Sequence, residues 1–73
     1  MMTYQEFLKL VDQTSNNLNW RYGQSLMNVL YSVWPEKYNE ITQSGDDPYY
    51  REDQISQTLK SLKENWKPTN DKV

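Results

Sequence analysis

Apolar positions recur at helical spacing along most of the chain, and the clearest run extends from Trp20 to Trp34. Tyr22, Leu26, Val29, Leu30 and Val33 fall at i, i+4, i+7, i+8 and i+11, one face of an α-helix, and Met27 and Trp34 widen that stripe. A strand requires a period of two, which the adjacent pairs Leu26-Met27 and Val29-Leu30 break. The central helix is therefore predicted over 19 to 33, with Asn19 as its N-cap and Leu18 just outside. Gly23 falls in the first turn, where glycine costs about 1 kcal/mol relative to alanine, so close approach of a neighbouring backbone is expected there. Pro35 disfavours α geometry at Trp34 and ends the helix at Val33.

The flanking stretches read as shorter helices. Thr3 and Glu6 form a capping box and Met2 faces Phe7 as a hydrophobic staple, so a helix is predicted over 3 to 14, with Tyr4, Phe7, Leu8 and Val11 on one face. Thr14-Ser15-Asn16-Asn17 are poor helix formers and read as a connection. Pro35 suits the first position of a third helix, 35 to 42, anchored by Tyr38 and Ile41. Gln43 to Pro48 is rich in turn residues, with Gly45 as a candidate C-cap and Pro48-Tyr49-Tyr50 as a single turn capped by Asp47. A last helix is predicted over 53 to 67, capped by Asp53, with Ile55, Leu59, Leu62 and Trp66 on its inner stripe and Lys60, Lys63 and Lys67 near its negative end. Pro68 stops it.

This pattern predicts an all-α fold, a compact bundle of three to four short helices. Residues 1–67 form a single helical domain and 68–73 a disordered, flexible tail. The expected core is Phe7, Leu8, Val11, Leu26, Leu30, Val33, Ile41, Ile55, Leu59 and Leu62, with parts of Trp34 and Trp66.

Composition narrows the chemistry. In 73 residues there is room for one small core, and the absence of both Cys and His removes disulfides, thiolate metal sites, most zinc ligand sets and every nucleophile paired with histidine. No enzyme activity and no cofactor are expected. A net charge of -2 argues against a dedicated phosphate-backbone binder. No basic run followed by an apolar stretch opens the sequence, and no segment approaches about 18 consecutive apolar residues, so neither a signal peptide nor a membrane span is expected. A cysteine-free chain fits a cytoplasmic location.

Known motifs are missing. Gly23 and Gly45 are the two glycines and cannot build a phosphate loop. Asp46, Asp47, Glu52 and Asp53 lack the spacing of a calcium-binding loop and read as caps and solvated loop, and little surrounds them to raise a carboxylate pKa. The two helices joined at Trp34-Pro35 resemble a DNA-reading corner in outline, yet the second carries Lys37 as its one basic residue, balanced by Glu36 and Glu40. A nucleic-acid-associated small helical protein is the alternative reading.

With 14% aromatic residues, 3 Trp and 6 Tyr against one Phe, the chain has rings enough to fill a small core or to furnish a binding face. Trp20-Arg21-Tyr22-Gly23-Gln24, Asn28, Leu30, Pro35-Glu36, Ile41 and Asp47-Pro48-Tyr49-Tyr50 together make a pattern that resembles a recurrent kind of small, uncharacterised protein of tailed bacteriophages. The resemblance covers about Trp20 to Trp66. It implies a viral accessory protein in the host bacterial cytoplasm, and it carries no catalytic residue with it.

The expected function is thus a non-catalytic protein–protein interaction module whose partner is a host or phage protein. The predicted contact segment is Asp46, Asp47, Tyr49, Tyr50 and Arg51. Pro48 restrains the backbone, adjacent tyrosines cannot both face the core of a thin domain, and the acidic neighbours would draw a basic partner.

Overall fold

The Thr3 hydroxyl oxygen accepts from the Glu6 N–H at 3.1 Å and the Glu6 carboxylate accepts from the Thr3 N–H at 2.9 Å, so the capping box read from the sequence opens the first helix. A computed structural model describes residues 2–44, 48 and 52–68. Within them the chain is all-α, a compact bundle of helices α1 (Tyr4–Leu18), α2 (Tyr22–Val33), α3 (Pro35–Ser44) and α4 (Ile55–Glu64), with a 3-10 turn, Glu52–Gln54, leading into α4. No strand occurs among the described residues.

The junction of α1 and α2 differs from expectation, and α3 runs on to Ser44, two residues past its predicted end. α1 continues through Thr14-Ser15-Asn16-Asn17, the stretch expected to be a connection, and ends at Leu18. Asn19 is its left-handed C-cap, φ 55 and ψ 42, and is not the N-cap of α2, a position taken by Arg21 without any side-chain capping bond. Asparagine tolerates the left-handed region better than most residues, so a side chain suited to either helix end closes the first one. The N–H groups of both Asn19 and Trp20 reach the Ser15 carbonyl, and the Ser15 hydroxyl donates to the Trp20 carbonyl oxygen at 2.8 Å. Local hydrogen bonds thereby offset the poor helix propensity of the stretch.

The last helix is shorter than predicted. It begins at Ile55 from Gln54, so Asp53 lies in the preceding 3-10 turn and is not the N-cap; α4 ends at Glu64, leaving Trp66 beyond it. Pro68, the first residue of the predicted tail, is buried, and 69–73 lie outside the described residues.

α2 is the centre of the core. α1 and α3 pack against it, and Leu26, Met27, Val29, Leu30 and Val33 are buried together with Phe7, Val11, Ile41 and Leu62. Leu8, Ile55 and Leu59, expected inside, are partly buried against this cluster, and so are Trp34 and Trp66, of which only parts were expected in the core. Gly23 is buried in the first turn of α2. Ser25 is also fully buried, and its hydroxyl donates back to the Arg21 carbonyl oxygen at 3.2 Å, satisfying it within the helix. The Trp66 ring closes one end of the bundle against Tyr4, Phe7 and Trp34, with centroids 5.7, 4.9 and 5.7 Å away.

Candidate functional site

The predicted contact segment, Asp46, Asp47, Tyr49, Tyr50 and Arg51, lies outside the described residues, and of that stretch Pro48 alone is described, as a buried turn residue. Among the described residues the exposed face of α2 and the neighbouring face of α3 draw attention for a different reason. α2 contains no charged residue, in a chain of which 25% is charged. Core residues explain its inner side, but its outer positions Asn28, Tyr31 and Ser32 are uncharged as well.

Tyr31 is 58% exposed, and with Leu18 it is one of two large apolar side chains exposed among the described residues. Its ring meets Tyr38 of α3 edge-on, 5.0 Å between centroids at 68°. Trp34 alone separates α2 from α3, and the two helices pack against each other, which brings the two tyrosines together. Between them lies a shallow hollow of about 250 Å³, floored by Met27 and edged by Asn28. The Asn28 amide donates to the Gln24 carbonyl oxygen at 2.8 Å and the Ser32 hydroxyl to the Asn28 carbonyl oxygen at 3.3 Å, so both side chains are held along the helix surface. Periodicity places Tyr31 off the apolar stripe of α2, and that was the available signal: a large ring at a position the core does not need.

A second concavity, about 410 Å³, runs between α3 and α4 and is lined mainly by polar side chains. Lys37, the one basic residue of α3, is buried there; its ammonium donates to Glu40 at 3.3 Å and lies 5.8 Å from the centre of the Trp34 ring. It is therefore poorly placed to meet a phosphate backbone.

Groups with a shifted pKa lie elsewhere. Burial raises Tyr4, and burial followed by the charge of Asp12 and proximity of Tyr4 raises Tyr22. Glu6 is lowered by its bonds from the Thr3 N–H and then the Thr3 hydroxyl. Packing and capping account for all three.

No family model, no curated protein and no solved structure matches the chain. Among the described residues, no helix is long and apolar enough to cross a membrane.

Proposed function

We propose that the chain is a non-catalytic protein–protein interaction module, an accessory protein of a tailed bacteriophage that acts on a host or viral protein in the bacterial cytoplasm. The observation that carries the binding part is the charge-free corner at Tyr31 and Tyr38. Interface centres are depleted in charge and enriched in tyrosine, because a ring offers large contact area with little entropy to lose while its hydroxyl still forms hydrogen bonds. Asn28 and Ser32 beside the rings supply adaptable polar contacts of the same kind. The Asp46, Asp47, Tyr49, Tyr50 and Arg51 segment is the second candidate contact of this reading.

The phage origin rests on the sequence pattern, and much of that pattern serves the fold. Gly23, Leu30, Ile41 and Pro48 are all buried. Such residues specify a scaffold on which a separate face does the binding.

Affinity capture from bacterial lysate tests the proposal, comparing the wild type with Tyr31→Ser and with Leu18→Ser as an exposed apolar control. A protein retained by the wild type and by L18S and lost with Y31S, at unchanged melting temperature, is the expected result. Equal recovery by all three would overturn the assignment of this face. Recovery that depends on nucleic acid and disappears with modest salt would favour the nucleic-acid reading instead.

A further inference from the structure

α4 is held differently from the other three helices. α1 and α3 lie backbone-close along α2, whereas α4 approaches the other helices at few points of its backbone. Of its ten residues Thr58 and Leu62 are buried, against seven of twelve in α2, and Ile55 and Leu59 are partly covered. Leu62 is the one member of the buried apolar cluster that α4 contributes; the other eight belong to α1, α2 and α3. Facing helices normally interlock their side chains, yet toward α3 a volume of about 410 Å³ stays open, with Lys37 and Glu40 on one side and Gln57, Lys60 and Ser61 on the other.

The helix has little stability of its own. Ten residues are too few for a helix to persist alone in water, and no side chain caps its start. Just ahead of it the side-chain oxygen Oε1 of Gln54 is buried without a hydrogen-bond partner among the described residues, and movement of the helix into solvent gives that atom water. Two hydrogen bonds tie α4 and the residues after it to the start of α1. The Tyr4 hydroxyl donates to the Leu59 carbonyl oxygen at 3.2 Å, and the Trp66 indole N–H donates to the Met2 carbonyl oxygen at 2.8 Å. Beside these bonds, the Trp66 ring rests on Tyr4, Phe7 and Trp34.

We propose that Ile55 to Trp66 swings away from the bundle as one unit while α1, α2 and α3 stay folded, an arm whose latch is the pair of bonds at Tyr4 and Trp66. An element that buries little apolar surface opens at lower free energy than the elements that build the core, and α4 is that element here. Opening uncovers the side of Phe7 on which Trp66 lies, a ring fully buried in the closed molecule, together with the faces of Tyr4 and Trp34 turned to Trp66. The protein thus holds, besides the Tyr31 corner, an apolar surface that shows only when the latch is released. Arm and corner share no residue.

Hydrogen exchange of the whole chain, followed by amide NMR in steps of urea below the unfolding midpoint, tests this. The amides of Leu59, Leu62 and Lys63 are expected to exchange at least about tenfold faster than those of Leu26, Leu30 and Val33, with a shared urea dependence that is smaller than theirs but not zero. Trp66→Phe and Tyr4→Phe each keep a ring and remove one latch bond, and each should speed exchange in α4 about fivefold, while Tyr31→Ser should leave it unchanged. Exchange of α4 and α2 at one rate with one urea dependence would overturn the proposal, since the molecule would then open only as a whole. Amides of α4 indifferent to urea would also overturn it, because that is the mark of fraying at single residues. Unchanged exchange of α4 in both W66F and Y4F would overturn the latch.

Discussion

The indole N–H of Trp66 donates to the main-chain carbonyl oxygen of Met2 at 2.8 Å, tying together residues 64 positions apart. The same ring lies against Tyr4, Phe7 and Trp34, and the Tyr4 hydroxyl in turn donates to the Leu59 carbonyl oxygen at 3.2 Å. Trp66 therefore fastens the residues after α4 to the start of α1. Trp66→Phe keeps a ring and removes the hydrogen bond, and should lower stability by about 1 kcal/mol in urea denaturation. Trp66→Ala should cost about 3 kcal/mol, the low end for such truncations because the ring is only partly buried. Equal stability of W66F and the wild type would show that the indole bond contributes nothing.

Asn19 gives a test of the left-handed cap. At φ 55 a residue with a Cβ is disfavoured and glycine is not, so Asn19→Ala should lose about 1 kcal/mol while Asn19→Gly stays level or gains slightly. Thermal melts of both variants separate this from a side-chain role. If alanine and glycine behave alike, the backbone conformation is not what Asn19 supplies.

Alkaline pH should weaken the fold. Tyr4 and Tyr22 both have folded pKa values raised above 10.0 by burial, with Asp12 adding to the effect at Tyr22. Below pH 10.0 both rings are protonated in the folded and the unfolded chain, and their contribution is complete. As pH rises from there through the folded values, the unfolded chain ionises first and stability falls. Tyr22→Phe should flatten this decline in melts between about pH 9 and 12.

Acid acts through the other end of the scale. Glu6 is lowered below 4.5 by its bonds from Thr3, so its contribution is present above pH 4.5 and is lost as pH falls through the folded value. Thr3→Ala should cost about 1 kcal/mol at neutral pH through loss of the cap. Glu6→Gln should flatten the acid limb of the stability curve.

Where a structural determinant was local, the sequence displayed it. The capping box needs only Thr3 and Glu6, the end of α2 needs only Pro35, and the buried stripe Leu26, Val29, Leu30 and Val33 follows from spacing. The end of α1 was not legible, because Thr14 to Asn17 have low helix propensity and the bonds of Ser15 to the Trp20 backbone, together with the cap at Asn19, outweigh it. Trp66 continues the helical spacing of Ile55, Leu59 and Leu62, yet the helix ends at Glu64 and the ring reaches the aromatic cluster from an irregular segment. Spacing gives the side of the molecule, and tertiary packing decides the backbone that delivers it there. The Tyr31 face was half legible: its position off the stripe can be counted, whereas its meeting with Tyr38 depends on the angle between α2 and α3.

Photo-crosslinking addresses the central claim, that the Tyr31–Tyr38 corner is a protein-binding face. p-Benzoylphenylalanine is placed at position 31 in one protein and at position 5, in place of the exposed Gln5 of α1, in a control. Both are irradiated in bacterial lysate and resolved by mass. A discrete protein adduct at position 31 that is absent at position 5, and that is suppressed by excess unlabelled wild type but not by excess Tyr38→Ala, is the predicted result. The same adducts at both positions, or none at position 31 while the folded protein still captures a partner, would contradict it.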